Sequence, residues 1–159
     1  MLTIRPATID DAALLRSLIW ELAEFEKEPD EVRVTADDLA RDGFGTSSQF
    51  RALIAEWDGQ PAGYALFFGY YSTWRGAGLY LEDLFVRPAF RGRGIGTALL
   101  AQVARIACQE NRVLLKWEVL HWNKSAIEMY KALGGDFMDD WRSVLLMGND
   151  LRKLADKAS

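Results

Sequence analysis

The stretch Val86-Arg87-Pro88-Ala89-Phe90-Arg91-Gly92-Arg93-Gly94-Ile95-Gly96-Thr97 constrains this chain more than any other. An apolar run, Leu79 to Val86, stops at Arg87-Pro88, and an amphipathic run, Gly94 to Glu110, begins at the glycines. A strand therefore hands over to a helix through a tight, glycine-rich turn. Glycine tolerates positive φ and lets a ligand come close to the backbone. Amides at a helix start lack intrahelical acceptors, and the helix dipole favours negative charge there. Arg91 and Arg93 add fixed positive charge. The turn can hold a pyrophosphate-like anion; the competing reading is a plain strand-to-helix connection with solvated arginines. Neither the spacing of a dinucleotide fingerprint nor the Gly-Lys-Ser/Thr of a P-loop is present.

Other signals surround that turn. Leu2-Thr3-Ile4-Arg5 alternates as a strand and Pro6 ends it. Asp10 is placed to cap a helix running to about Glu26. Thr35 starts a short helix, Ala36 to Arg41, closed by Gly43 and Gly45. Phe50 to Glu56 and Ala62 to Tyr71 are strands joined by Asp58-Gly59, a hairpin signal. Val113 to Leu120 is a strand, Ser125 to Leu133 a helix ended by Gly134-Gly135, and Ser143 to Met147 a last strand before a helical tail, Asp150 to Ser159. Three consecutive strands suit an antiparallel meander, and a strand-helix-strand crossover implies parallel pairing. The expectation is an α/β fold: a mixed central sheet flanked by helices, in a single domain over residues 1–159.

Composition narrows the function. The net charge is −4, so nucleic-acid binding is not expected. No apolar run is long enough for a membrane span and the N-terminus lacks a signal-peptide core, so a cytoplasmic location is expected. The only cysteine, Cys108, excludes an intrachain disulfide and is expected to be buried on an apolar helix face with Leu100 and Ala104. No metal-ligand spacing appears, and no metal is expected.

Arg91-x-x-Gly94-x-Gly96 after a strand resembles the pyrophosphate signature of the GNAT superfamily of acetyl-CoA-dependent N-acetyltransferases. The likeness extends over almost the whole chain to the diamine (spermidine/spermine) and thialysine N-acetyltransferases. It rests on Ile4-Arg5-Pro6-Ala7, Glu21-Leu22-Ala23, Asp42-Gly43-Phe44-Gly45, Tyr80-Leu81-Glu82-Asp83-Leu84-Phe85-Val86, Trp122-Asn123 and Tyr130-Lys131-Ala132-Leu133-Gly134. The resemblance implies the GNAT fold, with two parallel strands splayed at the acetyl-CoA site, and a homodimer. It also implies that acetyl-CoA is held by Leu84, Phe85, Val86, Arg91, Gly92, Arg93, Gly94, Ile95, Gly96, Thr97, Asn123 and Tyr130. Asn123 reads equally as a helix N-cap.

A primary amine with a pKa of about 10.4 is protonated near neutrality, so its attack on a thioester requires a proton acceptor. The resemblance implies Glu82 as base, through water, and Tyr130 as the acid for the departing thiolate. In a regular strand Glu82 and Asp83 point to opposite faces, so only one of them is expected to face the acceptor. Residues 21–31 carry six acids and one lysine, which is either a solvated face or part of a site for a cationic amine. The resemblance places Phe25, Glu26, Trp74, Glu82, Asp83, Asp139 and Trp141 around the acceptor. Three departures favour short amines over long polyamines: Phe25 stands where polyamine enzymes carry a tyrosine, Leu120-His121 replaces a carboxylate, and Asp139 is a shorter acid. Other GNAT acceptors, and a CoA-binding module without turnover, remain the competing functions.

Overall fold

The structure, a computed structural model, describes residues 1–158. The chain divides into two compact units, Met1–Leu120 and the remainder from His121.

The first unit is built on one mixed sheet whose spatial order follows the chain: β1 (Leu2–Pro6), β2 (Arg51–Trp57), β3 (Gln60–Ser72), β4 (Gly76–Val86) and β5 (Leu114–Trp117). The first four strands pair antiparallel, and β4 pairs parallel with β5. The hairpin turn between β2 and β3 has Asp58 and Gly59 both at positive φ, as a type I′ turn requires. The crossover from β4 to β5 is made by α3 (Ile95–Gln109). Gly94 supplies the left-handed residue, φ 75°, that starts this helix. Two further helices, α1 (Ala12–Phe25) and α2 (Ala36–Phe44), precede β2.

Alternation along the strands sorts the core. Ala52 and Ile54 of β2 and Tyr64 and Leu66 of β3 share one face, where they cluster with Leu15, Leu18 and Leu39 of α1 and α2. The residues of opposite parity, Leu53, Ala55, Ala65 and Phe67, are buried as well. Helix α3 buries Ile95, Leu99, Val103 and Ala107, a repeat of four along one stripe. Arg87 ties the end of β4 to α1: its guanidinium donates to both Glu21 carboxylate oxygens at 2.8 and 2.9 Å and to the Pro61 carbonyl at 2.9 Å.

Several boundaries differ from the sequence reading. Helix α1 is preceded by a 3₁₀ turn, Ile9–Asp11, in which the Asp11 carboxylate, not Asp10, accepts from the Thr8 amide at 2.7 Å. Helix α2 runs past Arg41 to Phe44, and Gly43 lies inside it because the Phe50 ring occupies the space of a Cβ. Strand β5 is only Leu114–Trp117. Cys108 is exposed, because the buried stripe of α3 passes through Ala107 instead.

In the second unit, α4 (Lys124–Ala132) is capped by Asn123, whose side-chain oxygen accepts from the Ala126 amide at 3.4 Å. Residues 143–147 form no strand: the sheet ends at five, and Val144 and Leu145 are 93% and 79% exposed. Helix α5 (Gly148–Ala155) is shorter than the tail reading, whose last residue, Ser159, lies outside the described residues.

Candidate active site

The site is organised by an irregularity in β4. Leu66 pairs with Asp83 and Phe67 with Leu81, so Glu82 is an extra residue facing no partner on β3. Such a bulge puts two neighbouring side chains on one face and locally re-aims them. Glu82 and Asp83 therefore both line one cavity of about 250 Å³, and the alternation expected of a regular strand is overturned. The opposite wall comes from Ile19, Leu22, Ala23 and Glu26 of α1, and the mouth from Glu31, Val32, Arg33 and Val34. Four carboxylates against one arginine give the cavity a negative potential.

That potential acts on the acids themselves. Burial, then the neighbouring charges of Asp83 and Glu118, hold the Glu82 carboxyl above its ordinary range. Burial, then Glu82, does the same to Glu26. Burial pushes Asp83 up to about 6, opposed by a hydrogen bond from the Tyr64 hydroxyl at 2.8 Å. Each shift means that the folded chain disfavours the negative charge and gains from a nearby cation.

Tyr64 and Glu118 have no place in the sequence reading, and Tyr80 enters it only as the first residue of the Tyr80–Val86 stretch. The Tyr80 hydroxyl donates to Glu118 at 2.8 Å, and the Tyr80 ring stacks on Phe68 with centroids 5.4 Å apart. Tyr64 is fully buried. The only sequence signal for it was a tyrosine at a core position, where a hydroxyl needs a partner.

Parallel pairing of β4 with β5 ends at Leu81–Trp117, while β4 continues to Val86. Among the described residues the β5-facing edge of Glu82–Val86 therefore has no strand partner, in keeping with the splay implied by the resemblance. Next comes the glycine turn. A Cβ built on Gly92 or Gly94 meets nothing within 4 Å, so the turn faces open space and fits an anion at the α3 start. Its arginines fold back onto aromatic faces. Arg91 lies 4.7 Å from the Phe25 ring centre and donates to the Val86 carbonyl at 3.0 Å, and Arg93 lies 4.9 Å from Trp57.

The other expected site residues are placed as follows. Phe25 is not among the cavity-lining residues; it packs under Arg91. Trp74 sits on the turn between β3 and β4 and is 76% exposed. In the second unit Tyr130 is buried on α4, Asn123 caps that helix, and Asp139, Trp141 and His121 are exposed.

The Acetyltransferase (GNAT) family profile matches residues 13–135. The thialysine N-epsilon-acetyltransferase of Bos taurus is 39% identical over 165 residues, covering 97% of both chains. The spermidine/spermine N(1)-acetyltransferase-like protein 1 of Homo sapiens is 37% identical over 138 residues, 82% of this chain and 20% of that one. Among solved structures, an integron cassette protein from the V. cholerae mobile metagenome is 25% identical, with a TM-score of 0.80 over 98% of both chains. With the family match, the mixed sheet with its one parallel pair and the glycine turn opening α3 are those of an acetyl-CoA-dependent acetyltransferase. The chain belongs to the GNAT family, and its activity is acetyl transfer to an amine.

Proposed function

We propose that this enzyme transfers the acetyl group of acetyl-CoA to a primary amine of a small cationic acceptor of the diamine, polyamine or thialysine class. The observation that carries the reading is the cavity where the β4 bulge turns Glu82 and Asp83 together toward Glu26 and Glu31. Relatives named for thialysine and spermidine/spermine acetylation support the acceptor class.

Acetyl-CoA supplies the activated acyl group as a thioester. The glycine turn Arg91–Thr97 holds its pyrophosphate, and the unpaired edge of Leu84–Val86 offers amides to the thioester oxygen. Asn123 contributes from its cap. The acceptor enters as an ammonium held by Glu26, Glu82 and Asp83. Glu82 would take its proton through water, the neutral nitrogen would form the N–C bond as the C–S bond breaks, Tyr130 would protonate the departing thiolate, and the surplus proton of the amide nitrogen would restore the Tyr130 hydroxyl. For Phe25, Trp74, Asp139 and Trp141 the acceptor role rests on the resemblance alone: none lines the cavity, and Phe25 packs under Arg91. No step uses a metal. The working form is a cytoplasmic homodimer.

Acetyl-CoA turnover against diamines, polyamines, thialysine, lysine and an aminoglycoside tests the reading. Short diamines or thialysine should give the highest kcat/KM. A clear preference for an acceptor outside these classes, or binding of acetyl-CoA without turnover of any amine, overturns it.

A further inference from the structure

Tyr64 occupies an unusual position for a polar side chain. It is fully buried between the sheet and α1, in the cluster with Leu15, Leu18 and Phe85, and its ring meets Phe85 edge-on at 6.5 Å. Packing of that kind leaves the ring one orientation. Its hydroxyl reaches the Asp83 Oδ2 at 2.8 Å. Asp83 is the carboxylate that the β4 bulge turns into the cavity, and it pairs across the ladder with Leu66, two residues beyond Tyr64 on the same face of β3. A rigid donor from the core thus grips one oxygen of a site carboxylate, and a carboxylate has further lone pairs to offer a ligand.

Resting on the acceptor reading above, we propose that Tyr64 is a positioning residue: its hydroxyl holds the Asp83 carboxylate aimed into the cavity to receive the acceptor's ammonium. The groups around Asp83 make that hold necessary. Glu26 faces it from α1, Glu82 precedes it on β4, and Glu31 lies at the mouth, with Arg33 the one cation in the lining. Burial and Glu26 favour the neutral acid, and the Tyr64 bond is the interaction that opposes them. With that bond Asp83 is ionised above about pH 6, which includes neutrality. Without it the charged form appears only at higher pH, and a protonated Asp83 offers no charge to an ammonium.

The experiment measures KM and kcat for thialysine from pH 5.5 to 9 in wild type, Tyr64→Phe, Asp83→Asn and the double variant. Tyr64→Phe keeps the ring and removes one hydroxyl, and its thermal midpoint is recorded alongside. It should raise the amine KM about tenfold near pH 6.5, the usual worth of a hydrogen bond to a charged group. The loss should shrink toward wild type as pH rises, with kcat within about twofold throughout. In the Asp83→Asn background Tyr64→Phe should change KM no further, since the two act as one unit. A pH-independent KM loss in Tyr64→Phe, or the same loss added on top of Asp83→Asn, makes Tyr64 a packing residue and overturns the proposal. A Tyr64→Phe protein that matches wild type at every pH, while Asp83→Asn is impaired, also overturns it but leaves the cavity as the acceptor site. If Asp83→Asn itself is silent, the cavity reading fails instead. Should Tyr64→Phe not fold, the pH dependence of KM in wild type against Asp83→Asn decides: no difference between them below pH 7 overturns the proposal.

Discussion

At the scale of single residues, the proposed chemistry assigns one role to Glu82 and another to Tyr130, and each is tested by itself. Glu82 is the bulge residue of β4, and its carboxyl is held above the ordinary range by burial and by Asp83 and Glu118. A raised pKa makes it a better base toward an ammonium than a solvated glutamate. Glu82→Gln keeps the shape and removes both base and charge. It should lower kcat/KM by about 10²–10⁴-fold, and the wild-type value should rise with pH above neutrality as the amine loses its proton. A loss confined to KM, and smaller for less charged acceptors, would assign Glu82 to binding alone. Tyr130, buried on α4, is tested separately. Tyr130→Phe should lower kcat and kcat/KM together and leave the amine KM nearly unchanged. An unaltered kcat removes the acid role from this residue.

At the scale of elements, the junction of β4 and α3 does most to shape the site. The strand loses β5 after Leu81, gains the bulge at Glu82, and ends at Val86, where Arg87 is clamped to Glu21 of α1. Unpaired amides, re-aimed acids and the glycine turn therefore follow one another along a few residues. Gly94 is the sharpest test of the turn. Its φ of 75° is strained for any β-branched residue, and a side chain would stand in the space open to a ligand. Gly94→Val should weaken acetyl-CoA roughly tenfold or more, the worth of one backbone hydrogen bond to a charged oxygen, with the amine KM little changed. Undiminished acetyl-CoA affinity in a folded variant, measured by calorimetry, would move the pyrophosphate elsewhere.

For the molecule as a whole, the acid cavity is a reservoir of unfavourable charge. Raised carboxyl pKa values mean that the folded state holds protons the unfolded chain has released. The penalty is absent below about pH 4, where both states are protonated, and it grows as pH rises through the folded-state value. For Asp83, pushed up to about 6, it amounts to at most about 3 kcal/mol at neutral pH. Asp11 and Glu110, paired with Arg5 and Arg51, act in the opposite sense: their stabilisation is lost only as pH falls toward the acid range. Asp83→Asn should therefore raise the ligand-free thermal midpoint by roughly 5 °C at pH 8 and by little at pH 4, while weakening the amine. Equal midpoints at pH 8 would show that the fold carries this charge without strain. Assembly belongs to the same scale. The exposed apolar residues Val144, Leu145 and Trp141 suit a contact surface, and light scattering at micromolar concentration should report a dimer. A monomer there counts against it.

Much of this was legible in the residues. The glycine turn, the Asp58-Gly59 hairpin, the three-strand antiparallel meander and the parallel crossover follow from local signals: periodicity, turn chemistry and helix ends, each carried by neighbours in the chain. The acids of residues 21–31 also announced themselves by density. What only the tertiary structure decided depends on register. Nothing in Leu81-Glu82-Asp83 marks a bulge, because a bulge is a mismatch between two strands and exists only once β3 is paired. The bulge in turn sends both acids to one cavity and brings Asp83 within reach of Tyr64, a residue nineteen positions away in the chain. Cys108 and residues 143–147 teach the same point. A one-residue difference in helix phase exposed the thiol, and a short apolar run is a strand only where a partner strand takes its hydrogen bonds.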